Sequence, residues 1–472
     1  MVIRFSRGTV RARCRAPPLV RHYAPLCALL PRSAQRLLHG VRLLPAHPSQ
    51  SVPRRRWRIA FLLAAGVVIA YFDRINVSVS QEALHATFGI SLIVFGYIAS
   101  AFNWTYALMQ MPAGMLLDRF GVQRLGRIGA LLWSVASFLA AAAPGLTVFF
   151  GARFLLGVAE SPTFPANAKA LGYWFPRQER SLAIAITDAA AKFSSAIGIP
   201  CLGLLLLHYG WRATFAATGF LSFLYFVVFY RVYTNPGEDR GLSAEELCYI
   251  GTEGSTEEGR GSKGRWFLLG YLLRQPKAYG LALGWGAYNY SFYLLLSWLP
   301  TYLSIAHHMD LRRSVLYTSA PWLFATFTDV AVGGWMVDRL IQRGWDANRV
   351  RQSVMIIGTA FGLAIFGAAH PRSAFAALCW ISVALGGLAA AAPAAWTVPS
   401  LIAPRGSVAT LASIANCSSQ IAGILAPIVT GYLVSATHSF APAFVTAATI
   451  LLLGIAGYAF LLGRIEAIPE PR

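Results

Sequence analysis

The sequence predicts an all-α integral membrane protein: twelve transmembrane helices in two pseudo-symmetric six-helix bundles. Three observations predict it. The 472 residues are 56% hydrophobic and 12% charged, with a mean hydropathy of +0.54, against roughly 45–50% apolar and about 25% charged in soluble domains. The apolar residues fall into twelve runs, each close to the roughly 20 residues that a helix needs to cross a bilayer. A short motif in the second run returns in the eighth, 220 residues later, and an internal repeat of this kind marks a membrane fold built from two similar bundles.

Residues 1–58 carry 13 Arg and no Lys, Asp or Glu. Removing them from the net charge of +21 leaves +8, an ordinary excess for a chain that keeps basic loops on the cytoplasmic side. The basicity therefore reports topology, and no nucleic-acid partner is expected. Residues 1–56 are read as a basic leader that is disordered or arises from an upstream start, in preference to a transit peptide of similar composition. Arg54, Arg55 and Arg56 supply a cytoplasmic anchor for the first span.

The spans are expected near 58–81, 91–117, 125–143, 148–173, 183–207 and 212–233, then 277–304, 313–337, 350–369, 373–399, 405–435 and 439–463. Residues 57–233 form the first bundle and 277–464 the second, with a tail at 465–472. Between the bundles, 234–276 reads as a cytoplasmic linker that holds 7 of the 19 acids. The loops after spans 2, 4 and 8 carry Arg119, Arg124 and Arg127, then Arg177 and Arg180, then Arg339, Arg343, Arg349 and Arg351, whereas the turn after span 3 is uncharged. Short Arg-rich loops stay inside, so both termini are expected in the cytoplasm of a bacterial inner membrane; Arg312 and Arg313 are a local exception. The six cysteines show no paired or metal-ligand spacing. Neither a cofactor nor a metal is implied, His307 and His308 being more simply interfacial, and the chain is expected to act as a monomer among membrane lipids.

The repeated motif is Gly-x3-Asp-Arg: Gly114, Asp118 and Arg119, followed by Gly121 and Arg124, and again Gly334, Asp338 and Arg339. Its physical reading is a tight helix-to-helix loop. Gly114 allows close helix packing, Asp118 accepts from a neighbouring helix start, and the arginines meet acids or headgroups, so these residues are candidates for conformational gating.

Four charges stand in the middle of the first and fourth apolar runs: Asp73 and Arg74 in span 1, Arg153 and Glu160 in span 4. Ionisable residues at that depth are costly and are functional candidates. Arg74 has the planar fork that grips a carboxylate at two points; the alternative is an ion pair that staples helices. Asp73 and Glu160 are candidate proton carriers, since burial favours a neutral carboxyl and a nearby cation the ionised one. Arg153 lies seven residues before Glu160, roughly 10 Å along a helix axis, so each should meet partners on neighbouring helices. The alternative for that pair is a static network.

At these residues the chain resembles the major facilitator superfamily, over about residues 57–465. Gly114-x3-Asp118-Arg119-x-Gly121 is similar to its signature after the second helix, and Arg153-x3-Gly157-x2-Glu160 to its fourth-helix motif. The stretch from Tyr71 to Ser78, Tyr173 to Pro176 with Glu179 and Arg180, and Asn416 ahead of Gly423 and Pro427 resemble the anion:cation symporter branch, which includes galactonate, glucarate and hexuronate carriers. The resemblance implies that Arg74 anchors the substrate carboxylate, with Tyr71 and Asn76 beside it. Protons enter on Asp73 and Glu160, tuned by Arg153. The opposing wall is expected to include Tyr293, Trp396 and Asn416. Lys192 either pairs with Asp188 at i, i+4 or serves as a second cation for a dicarboxylate; sugar-acid carriers often have Gln where Ala191 stands. Asp329 is a buried acid with no assigned role.

The function implied is proton-coupled uptake of a small organic anion, a sugar acid first, with tartrate, phthalate or aromatic acids, and facilitative or sodium-driven transport, as alternatives. A carrier-derived ligand sensor is a further class. A membrane enzyme is disfavoured because the chain carries no nucleophile motif, phosphate loop or metal spacing.

Overall fold

The computed structural model describes residues 54–251, 265–371, 373–404 and 407–470. The leader up to residue 53, with Cys14 and Cys27, lies outside them. The described residues are helical nearly throughout, and eight stretches are long and apolar enough by themselves to cross a membrane.

Span 1 is α1 (Arg55–Val79), followed by the short α2 (Gln81–Phe88). Spans 2 and 3 are the two parts of α3 (Leu92–Ala141), parted at Gly121, where φ is +77°. Span 4 is broken into α4 (Leu146–Glu160) and α5 (Thr163–Trp174). Pro162 lacks the N–H that would continue the ladder and restricts the residue before it; the sequence reading took this span as one helix. Spans 5 and 6 share α6 (Arg177–Val232), parted at Gly210, where φ is +76°. A positive φ is nearly free for glycine and costs other L-residues about 1–2 kcal/mol, so these two glycines let the chain reverse within a single residue.

The segment expected as a linker contains α7 (Ala244–Gly251) and α8 (Arg265–Leu272). Span 7 is α9 (Pro276–His307); span 8 joins α10 (Leu311–Thr328), a π-helical stretch Asp329–Met336, and α11 (Val337–Gln342). Span 9 is α12 (Ala347–Gly362) with a 3-10 turn, span 10 is α13 (Ala374–Ile402), span 11 is α14 (Val408–Thr437), and span 12 is α15 (Ala441–Ala456) ending in a π turn.

Within the first half α1 packs on α6 and α3 on α4 and α6; within the second, α9 packs on α14 and α15, and α13 on α10 and α12. The halves meet through α3 against α14, α6 against α10 and α1 against α9. These meetings gather at the end away from the Arg-rich loops. There Ser78 Oγ donates to the Ser297 carbonyl, Ser304 donates to Glu82, and Tyr97 faces Tyr432. A Cβ on Gly96 would stand 2.6 Å from the Pro427 carbonyl, and one on Gly203 2.7 Å from Val315.

Arg55 and Arg56 do more than mark an inside end, and they belong to the first turn of α1 rather than to a leader. Arg56 Nε and Nη2 donate to the Glu179 carboxylate at 2.7 and 3.1 Å, its Nη1 reaches Glu246 at 3.1 Å, and Arg55 reaches Asp239 at 2.9 Å. The fully buried Glu246 also accepts from the backbone N–H groups of Arg55 and Arg56, capping a helix start whose first amides have no partner within the helix. Acids of the polar segment thus clamp the start of α1. Burial works against the ionisation of Glu179, but the bonds from Arg56 and Tyr249 outweigh it and hold its carboxyl below the usual range. A carboxyl depressed on folding stabilises above its unfolded pKa and loses that effect as pH falls through the folded one. Glu179→Gln is therefore expected to lower the thermal midpoint of detergent-solubilised protein at pH 7 by a few degrees. The gap to wild type should close as pH falls from about 5 towards 3; a gap that persists unchanged there rules out the ionic origin.

Candidate functional site

Span 1 carries Tyr71, Asp73, Arg74 and Asn76 on successive faces of one helix, so a helical repeat of 3.6 residues sends them to different neighbours. Arg74 turns towards spans 2 and 4. Its Nε and Nη2 both donate to Glu160 Oε2, at 3.0 and 2.8 Å, and the two side chains are 5% and 0% exposed. Three rings surround the guanidinium: Phe102 at 4.5 Å, Tyr71 at 4.7 Å and Tyr106 at 5.3 Å from its carbon. Glu160 is the last residue of α4, immediately before the Ser161-Pro162 break. Its second oxygen, Oε1, is buried without a hydrogen-bond partner among the described residues.

Asp73 points the other way, into the first bundle. Ser137 Oγ donates to its Oδ1 at 2.7 Å and Ser222 Oγ to its Oδ2 at 3.0 Å. Arg153 Nη1 donates to the Asp73 backbone carbonyl at 3.1 Å, so Arg153 and Glu160 each meet span 1 rather than one another. Gly157 makes this approach possible, since a Cβ there would collide with the Phe102 carbonyl and Thr105 Oγ1. Asn76 is turned away from the cavity: it is fully buried and donates to Thr218 at 3.3 Å. The expectation that it stands beside Arg74 in the binding wall is corrected on that geometry.

A cavity opens on Arg74 and Arg153, lined also by Phe102, Asn103, Tyr293 and Ser297. Tyr293 stands across it on α9, and Asn103 Nδ2 donates to the Gly423 carbonyl of α14 at 3.0 Å while its Oδ1 has no partner. Trp396 is 40% exposed and meets Trp285 edge-on at 4.9 Å, which stacks on Tyr288. Asn416 is half-buried on α14, near the buried Ser419 and Gln420. Lys192, on α6, is bound to Asp188 at 2.6 Å and lies 2.8 Å from Asp329 of span 8.

Phe102, Tyr106 and Asn103 escaped the sequence reading. The signal available was Phe102 and Tyr106 at i, i+4, a spacing that serves ordinary core packing equally well.

The repeated loops are placed away from the cavity. A Cβ at Gly114 would touch nothing within 4 Å, so close packing is not what that glycine provides, and the left-handed turn belongs to Gly121. Arg119, Arg124, Asp338 and Arg339 are exposed, and the side chain of Asp118 lies outside the description. In the second half the positive φ falls at Gly344, +90°. Among the described residues no group of three or more metal-ligating side chains assembles.

Residues 63–427 match the Major Facilitator Superfamily. The chain is 38% identical to the uncharacterized transporter YybO of Bacillus subtilis, over 88% of this chain and 95% of that protein. It is 30% identical to the D-galactonate transporter of Escherichia coli, over 88% and 97%, and 30% identical to the Escherichia coli protein named Probable galactarate/D-glucarate transporter GarP, over 87% and 95%. Among solved structures it resembles a bacterial homolog of the human lysosomal transporter Spinster, with a TM-score of 0.69 at 18% identity over 88% of this chain and 98% of that one. It also resembles the D-xylose-proton symporter, with a TM-score of 0.65 at 15% identity over 86% and 97%; both likenesses speak to the fold. The chain is a membrane transporter rather than an enzyme, and it belongs to the Major Facilitator Superfamily as a relative of the galactonate and glucarate transporters.

Proposed function

We propose that the protein couples uptake of a small organic anion, a sugar acid of the aldonate, aldarate or uronate class, to protons by alternating access. The observation that carries this reading is the buried pair in which Arg74 Nε and Nη2 both donate to one oxygen of Glu160, beside a cavity that Tyr293 and Ser297 line from the other half.

A substrate carboxylate and the Glu160 carboxylate compete for the same fork. A proton on Glu160 removes the competitor, and a substrate that takes Arg74 leaves Glu160 without its cation, which favours the protonated form. Anion and proton therefore bind together. Asp73, held by two serine hydroxyls, is the second proton position, and Arg153 links it to span 4 through its carbonyl. With the Arg-rich loops in the cytoplasm of a bacterial cell, the closed end of the molecule is the outer one, and this arrangement is the inward-open state.

Thermal-shift measurements on purified protein against aldonates, aldarates, uronates, tartrate and aromatic acids, each at pH 6 and pH 8, test the reading (about two pH units, enough to change the proton concentration a hundredfold). One sugar acid is expected to stabilise the protein, and more strongly at the lower pH. Stabilisation that is larger at the higher pH, or confined to tartrate or the aromatic acids, overturns it.

A further inference from the structure

Away from Arg74 a second buried cation spans the two halves. Lys192, in the middle of span 5, is 3% exposed and carries two carboxylates. Asp188, one turn earlier on the same helix, accepts a hydrogen bond at 2.6 Å and is 22% exposed. Asp329, on span 8, is 4% exposed and pairs with the same ammonium at 2.8 Å. Of the two, only Asp329 belongs to the other half of the molecule. It is also the first residue of the π-helical stretch Asp329–Met336, and π turns inside helices recur at functional positions.

The groups facing this cluster are Tyr288 of span 7 and Tyr71 of span 1. Tyr71 also lies under the Arg74 guanidinium. Two phenols thus stand between two buried cations, each paired in this state with carboxylates of the protein itself: Glu160 on Arg74, Asp188 and Asp329 on Lys192.

We propose that Lys192 is a second anion-binding position, which takes the distal acid group of a dicarboxylate, and that Asp329 is the internal carboxylate holding that place in the empty carrier. This rests on the reading of Arg74 as anchor for the first acid group. The exchange balances. The distal carboxylate replaces Asp329 at Lys192 Nζ; Asp329, buried and facing no cation other than Lys192 among the described residues, takes a proton from water. The cluster gains one carboxylate and one proton, and its net charge is unchanged. Asp188, hydrogen-bonded and partly open to water, stays in place. A substrate whose far end is a hydroxyl has no charge with which to displace Asp329 and brings no such proton.

The test is calorimetric titration of the full chain in detergent with galactarate and galactonate, run in two buffers of different ionisation enthalpy so that protons taken up are counted. Galactarate is expected to take up one more proton than galactonate. Lys192→Gln should weaken galactarate by about tenfold or more, the equivalent of about 1.4 kcal/mol, and leave galactonate within about twofold. The triple variant Asp188→Asn, Lys192→Gln, Asp329→Asn, which removes all three charges and leaves none unpaired, should behave in the same way. Asp329→Asn alone should keep galactarate binding and abolish the extra proton. Equal weakening of both acids in Lys192→Gln and the triple variant, or equal proton counts in wild type, overturns the second position. Failure of both acids to bind the unmodified protein overturns instead the sugar-acid reading beneath it.

Discussion

Glu160→Gln is expected to abolish proton-driven accumulation of substrate while exchange of labelled for unlabelled substrate continues. Glutamine fills the same volume and removes the charge, so Arg74 loses the only carboxylate bound to it among the described residues. A buried charge stripped of its partner costs about 3–5 kcal/mol, and in the substituted carrier an incoming substrate carboxylate supplies what is missing. Three outcomes follow from that single change. The empty protein melts earlier than wild type; substrate restores its midpoint by more than it raises that of wild type; and galactonate affinity loses the part of its pH dependence that Glu160 carries, since that carboxyl no longer exchanges a proton. Proteoliposomes with an imposed pH gradient measure accumulation, and counterflow without a gradient measures exchange. Loss of both in protein that elutes as a single folded species assigns Glu160 to a structural network. Retention of gradient-driven accumulation transfers the coupling to Asp73.

Arg74→Met is expected to remove substrate binding, and Arg74→Lys to restore only part of it. Breaking one side of a buried, hydrogen-bonded charge pair costs about 2–5 kcal/mol, which at about 1.4 kcal/mol per decade is a loss of roughly 30-fold or more in affinity. Lysine keeps the charge but not the fork that meets two oxygens. It also loses the flat face that packs among Phe102, Tyr71 and Tyr106, so its affinity should fall between the other two. Calorimetry on the detergent-solubilised variants gives the order directly. Wild-type affinity in Arg74→Met sinks the anchor, whatever the transport assays show.

The apolar runs gave most span boundaries to within a few residues, because the cost of backbone polar groups in lipid forces helices and hydropathy marks where they cross. The break in span 4 was present as Ser161-Pro162, yet a proline inside a span can kink or end it, and the choice depends on what receives the freed carbonyls. The acids at 234–276 were visible as charge. That Glu246 caps α1 while Asp239 and Glu179 hold Arg55 and Arg56 was not, since partners 123 to 190 residues apart leave no local pattern.

By itself the sequence determined that this is a helical membrane protein with a repeated half and four charges at bilayer depth, because hydrophobicity and charge are properties of single residues counted along the chain. Only the tertiary structure decided how those charges are shared. Span 1 sends Arg74 to Glu160, Asp73 to two serines and Asn76 to Thr218, since neighbours in sequence leave a helix about 100° apart. The pairing of Lys192 with Asp329 belongs to the meeting of spans 5 and 8, and a contact between two halves of a molecule exists only once both halves are folded and docked.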